Sequence, residues 1–199
     1  MVSMPSFRRL AGRILAGVTL SGVLSAIYVQ GSHAWVLGLV MLVPWLRTLD
    51  TRASLPGALM SAWLMSVAFT AAAFWWFGLA IGDYTQVGGP NGLAVLLLMA
   101  PFFQPQFLAF SLVRHLAGQR HGPVVRALAG AAAWVGAEWA LPKVLGDTLG
   151  YGLYPSAVMR QFADIGGSAG LTVLLLLANE GVALAWARRA EDWRQVAKP

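Results

Sequence analysis

A chain of 199 residues that is 58% hydrophobic and 11% charged, with a mean hydropathy of +0.65, is too apolar for a soluble domain, in which about a quarter of residues are charged. Its net charge of +6 is carried by residues that flank apolar runs instead of forming one patch, which argues against nucleic acid and makes anionic lipid head groups the expected counter-charge. Cysteine is absent, so these residues hold no disulfide, no thiolate metal site and no cysteine nucleophile.

Crossing about 30 Å of hydrocarbon at about 1.5 Å per residue takes about twenty apolar residues. The first such run, 10–29, has Arg8, Arg9 and Arg13 ahead of its continuous apolar stretch 14–29. Its length, and the lack of an Ala-x-Ala site before Trp35, make it an expected anchor and not a cleaved leader. The second, 34–46, is short and bracketed by Trp35 and Trp45, so it either crosses, re-enters or lies at the interface. The third, 58–81, carries Phe74, Trp75, Trp76 and Phe77 toward its end; these fit an interfacial aromatic belt, or a face stacked on acyl chains with Trp134 and Trp139. A Gly88-Gly89-Pro90 turn signal leads into the fourth run, 91–113, where Pro101 and Pro105 predict a kink, with Gln104 and Gln106 as partners for the freed carbonyls.

The fifth run, 124–141, has small residues at 127–136, suited to close helix approach, and places Trp134 and Glu138 four apart on one face. A long connection over 142–164 follows, carrying Lys143, Asp147, Tyr151, Tyr154 and Arg160, and then the sixth run, 165–187, with Asn179 and Glu180 inside it. Residues 188–199 form a basic tail. Twelve of the fourteen Lys and Arg residues fall in alternate gaps, leaving Lys143 and Arg160 on the other side. Were 34–46 not to cross, the split would drop to nine against five, so the positive-inside rule selects six spans with both termini cytoplasmic. The predicted fold is an all-α polytopic transmembrane helical bundle over residues 1–187, followed by a cytoplasmic tail.

Carboxylates in hydrocarbon are costly unless they meet a cavity, a partner or water. Glu138 reads as a polar pocket opening outward, or as hydrated or paired with Lys143. Glu180 reads as an interhelical hydrogen-bonding group, or as a proton relay or cation ligand. Intramembrane Asn179 and Glu180, with Glu138, motivate a small transporter or channel as the alternative function, although no inverted repeat is seen. His33, His115 and His121 are expected in loops and lack metal-ligand spacing, so no metal or other cofactor is expected.

Four segments taken together resemble the N-terminal membrane domain of apolipoprotein N-acyltransferases. They are Ala73-Phe74-Trp75-Trp76-Phe77 with the Gly88-Gly89 loop; Trp134 through Glu138-Trp139; Leu149-Gly150-Tyr151; and Gln161-Phe162-Ala163-Asp164-Ile165-Gly166-Gly167 leading to Asn179. The chain departs from the family pattern after Trp139, at Leu145-Gly146-Asp147 and at Gly152-Leu153. The resemblance implies a multi-pass protein of the bacterial inner membrane that binds phospholipid and diacylated lipoprotein. It implies a lateral cavity at Trp75, Trp76, Trp134, Glu138, Trp139 and Tyr151. It also implies that acyl transfer is carried by a nitrilase-like domain with a Glu-Lys-Cys triad. No such triad is expected here, so the chain reads as a truncation or as half of a split enzyme whose partner is a nitrilase-like catalytic chain.

Overall fold

The computed structural model describes residues 4–31, 33–50, 54–143 and 146–196, with side chains from 11 to 190. Leu145, and Arg52 and Lys198 from the twelve basic residues in alternate gaps, lie outside the described residues. Helices α1 (Met4–Val29), α2 (Val43–Asp50), α3 (Leu55–Tyr84), α4 (Gly89–Leu98), α5 (Ala100–Phe103), α6 (Gln106–Gly118), α7 (Pro123–Ala140) and α8 (Ala157–Val196) are joined by 3-10 turns at His33–Leu39 and Leu149–Leu153. There is no strand among the described residues. Three helical stretches, Ala11–Val29, Leu55–Tyr84 and Ala157–Ala190, are long and apolar enough to cross a membrane, and the chain is a membrane protein.

The short second run enters the core of the bundle from Met41 onward, with Met41, Leu42, Val43, Trp45 and Leu46 buried. It runs antiparallel to α1: the Tyr28 ring lies against Gly38, the Trp45 N–H donates to Ser21 Oγ at 3.0 Å, and Gly17 faces Pro44 and Thr48. Contact therefore descends α1 from Tyr28 to Gly17, about 17 Å of helix at 1.5 Å per residue. Trp45 is fully buried, not interfacial. Its ring joins Phe69, Phe107, Phe110 and Trp134 in an aromatic core with neighbouring centroids 4.6–5.9 Å apart. Between the 3-10 turn and α2 the backbone leaves helical hydrogen bonding, which in hydrocarbon requires other partners. Asn179 supplies them: its Oδ1 accepts from Leu42 N–H at 2.7 Å and its Nδ2 donates to the Gly38 carbonyl at 2.7 Å.

The fourth run is not one kinked helix but three pieces. Gln104 sits at φ −126°, ψ 55°, because the following Pro105 disfavours helical geometry at the residue before it. The glutamines do not go to freed carbonyls: Gln104 donates to Asp147 Oδ2 at 3.1 Å, and Gln106 donates to Gln104. Helices α3 and α4 close into a hairpin on Gly78, Gly82 and Gly92, where a β-carbon at 92 would overlap the other two backbones.

The connection over 142–164 is also more ordered than a loop: it contains the second 3-10 turn and the first turns of α8. Gly167, at φ 61° and ψ −166°, breaks α8, which then continues past residue 187 to Val196. His115 is in the last turn of α6, 3.0 Å from Gln119 Nε2, and not in a loop.

Candidate functional site

Two polar networks occupy different levels of the bundle. One surrounds Glu138. The α-helical repeat stacks it over Trp134, whose indole N–H donates to Oε1 at 3.1 Å. Pro142 forces Leu141 into extended geometry and ends α7, and the chain turns back so that Lys143 Nζ lies 3.4 Å from the same oxygen. Thr148 donates to Oε2 at 3.1 Å, and its hydroxyl is 2.7 Å from that of Thr172, which accepts the Gly150 N–H at 3.0 Å. Lys143 is also 3.4 Å from Asp147 Oδ1 and bonds the Asp147 carbonyl. The Glu138 side chain is only 8% exposed, so a nearby ammonium and two donors offset the cost of desolvating its carboxylate.

Beside this network opens a cleft of about 380 Å³. Tyr28, Phe69, Phe74, Tyr151 and Pro155 give it apolar and aromatic walls, while Asp147 and Thr148 place the Glu138 network along one edge. The Tyr28 hydroxyl donates to the Leu149 carbonyl and so ties α1 to the 3-10 turn forming the rim. Gly152 packs directly on the Tyr28 ring, where a side chain has no room.

The second network lies deeper along α8. Thr172 and Glu180 are eight residues apart, about 12 Å along the helix. Arg114 is buried and donates to both Glu180 oxygens and, at 2.8 Å, to Asp50. Arg126 reaches Asp50 at 3.1 Å and Glu180 at 3.7 Å. Two guanidinium groups and two carboxylates thus cancel in charge and join α2, α6, α7 and α8. Among the described residues no group of three His, Cys, Asp or Glu is placed to hold a metal.

The expected cavity residues separate. Trp134 and Glu138 are bonded together inside the protein and Tyr151 lines the cleft, with Phe74 beside it. Trp75, Trp76 and Trp139 are exposed, Trp139 by 83%, and do not line the cleft. Asn179 braces the backbone at Gly38 and Leu42, and Glu180 is in the four-charge network. Arg114 and Arg126, counted above with a cytoplasmic gap, lie within helices. The signal available for them was the small number of acidic residues, eight in all, since an acid in an apolar helix demands a base.

Residues 21–180 match the family model described as the apolipoprotein N-acyltransferase N-terminal domain. The chain is also similar to an apolipoprotein N-acyltransferase of Rhizobium leguminosarum bv. trifolii, with 29% identity over 137 residues that cover 66% of this chain. The matched part amounts to 25% of that relative's length. No solved structure matches.

Proposed function

The chain belongs to the apolipoprotein N-acyltransferase N-terminal domain family, and from that premise we propose that it is a lipid-binding membrane domain serving lipoprotein N-acylation. In this reading residues 1–187 cross the bacterial inner membrane six times, both termini are cytoplasmic, and residues 188–199 are a basic cytoplasmic tail. The cleft beside Glu138 opens on the outer side and takes an acyl chain of a phospholipid or of a diacylated lipoprotein. Acyl transfer needs an activated nucleophile, and these residues contain no cysteine, so the chemistry is supplied by a nitrilase-like catalytic chain or segment docking on that side.

The cleft carries the proposal: aromatic and apolar walls suited to hydrocarbon meet a hydrogen-bonded polar edge suited to a head group or ester. Trp134 and Glu138 then act from behind the wall by fixing Thr148, while Trp75, Trp76 and Trp139 sit in the interfacial belt. Transport through Glu138 and Glu180 has weaker support, because each carboxylate has a basic partner. The test is photocrosslinking of the purified chain in nanodiscs with a phospholipid bearing a diazirine on its acyl chain. Adducts are expected at Phe74 and Tyr151 and are expected to disappear in Ala73→Trp, which fills the cleft. Adducts confined to Trp75, Trp76 and Trp139 in both proteins would show that lipid touches only the outer surface.

A further inference from the structure

The part of α8 that holds its apolar window, Ala157–Ala190, is 34 residues long, about 51 Å at 1.5 Å per residue, against a hydrocarbon core of about 30 Å. Gly167 divides it where the excess lies. Its φ of 61° and ψ of −166° belong to glycine alone, and they break the helix. Between the break and the Arg188-Arg189 pair, residues 168–187 measure about 30 Å, one crossing. The ten residues before Gly167 must therefore lie elsewhere.

Their side chains sort into three faces. At about 100° per residue, Met159 and Ala163 share one face and pack on the core. Val158, Phe162 and Ile165 share a second face, roughly a third of a turn away, and all three are exposed, Ile165 by 86%. Arg160, Gln161 and Asp164 make up the third, also exposed. A helix standing in water has no use for an exposed apolar stripe, and one inside hydrocarbon has none for Arg160, Gln161 and Asp164. Three faces turned to protein, lipid and water fit a helix lying in the plane of the membrane surface. Its neighbours suit that level: Tyr151 and Tyr154 are exposed, and Arg160 is held at 2.7 Å by the Tyr154 carbonyl and stacks over the Tyr154 ring at 5.2 Å.

We propose that residues 157–166 form an interfacial helix that buries Val158, Phe162 and Ile165 in the lipid surface and fixes the level of the neighbouring cleft in the membrane. Arg160 and Asp164 cancel, so apolar burial and not attraction to anionic lipid seats it. The proposal needs only that the chain sits in a membrane, and it stands or falls independently of what occupies the cleft.

The chain has no native cysteine, so single-cysteine variants label uniquely. Val158→Cys, Phe162→Cys, Ile165→Cys, Arg160→Cys, Gln161→Cys and Asp164→Cys, each carrying a polarity-sensitive fluorophore, are placed in phosphatidylcholine nanodiscs with or without lipid brominated near the ester end. Bromolipid is expected to quench positions 158, 162 and 165 by about half and the other three by less than about a tenth, as burial of one face by roughly 5–10 Å requires. Aqueous iodide is expected to give the reverse order. Equal iodide quenching at all six would place the helix in water, and bromolipid quenching at all six would place it within the span. Protection of 158, 162 and 165 from both quenchers would mean that protein covers them. Any of the three overturns the proposal.

Discussion

Replacing Arg114 by Met leaves Asp50 and Glu180 to share Arg126, an uncompensated negative charge inside the bundle. Replacing Glu180 by Met leaves Arg114 and Arg126 on Asp50, an uncompensated positive charge. Breaking a buried ion pair from one side costs about 3–5 kcal/mol. Both single variants belong at the low end, about 3 kcal/mol, because the survivor keeps one partner: Arg126 at 3.7 Å from Glu180 in the first, and Asp50 at 2.8 Å from Arg114 in the second. The double variant removes one charge of each sign and retains the Asp50–Arg126 pair at 3.1 Å, so its loss is expected to be below about 1 kcal/mol. For a chain of this length about 3 kcal/mol corresponds to roughly 6–12 °C in melting temperature. Heating in detergent, followed by the emission of buried Trp45 and Trp134 and by loss of the monodisperse elution peak, is expected to place both single variants that far below the parent. The double variant is expected within about 4 °C of it. If the double variant loses as much as the two single variants combined, or if either single variant melts with the parent, the four groups do not act as one charge-balanced unit.

Two further substitutions and one control test the packing. Asn179→Leu leaves the Leu42 N–H and the Gly38 carbonyl without these partners, at about 1–3 kcal/mol each, and hydrogen exchange at residues 38–42 is expected to accelerate before that of α1 or α3; uniform exchange would refute the bracing role. Gly92→Ala drives a β-carbon into Gly78 and Gly82 and is expected to cost about 1–3 kcal/mol in the same melting assay, whereas Gly136→Ala, with open space around it, is expected to melt with the parent.

How far the sequence could be read depended on how far apart in the chain the interacting groups lie. Trp134 and Glu138 are four residues apart, so helical periodicity alone brought them together, and Lys143, five residues beyond Glu138, was within reach of the same reasoning. The apolar runs marked the long helices α1, α3, α7 and α8 because hydrophobicity over about twenty residues is a local property. Arg114 and Glu180 are 66 positions apart, and in one sequence an arginine beside a loop looks the same whether it faces water or a carboxylate on another helix. Counting it as a loop charge gave a consistent topology while concealing its contact. The break at Gly167 was similarly concealed: a Gly-Gly pair in an apolar stretch permits a helix to break without requiring it, and the decision belongs to the packing of Met159 and Ala163.

The polar residues inside apolar runs were the strongest functional signals in the sequence, and the fold gives most of them structural work. Asn179 satisfies the backbone of the central non-helical segment, and Glu180 neutralises Arg114. A bundle whose core takes in the non-helical turn at 40–42 and a two-turn helix needs such groups, because a hydrocarbon environment offers its free amides and carbonyls nothing else. Removing those residues from the functional inventory narrows it. What remains is the edge formed by Asp147 and Thr148, where polar atoms held in place by Lys143, Gln104 and Glu138 border an open apolar cleft. The same network ties α7 to α8 through Thr148 and Thr172, and in the proposed reading its polar edge beside a 380 Å³ apolar space makes the cleft the place to look for a ligand.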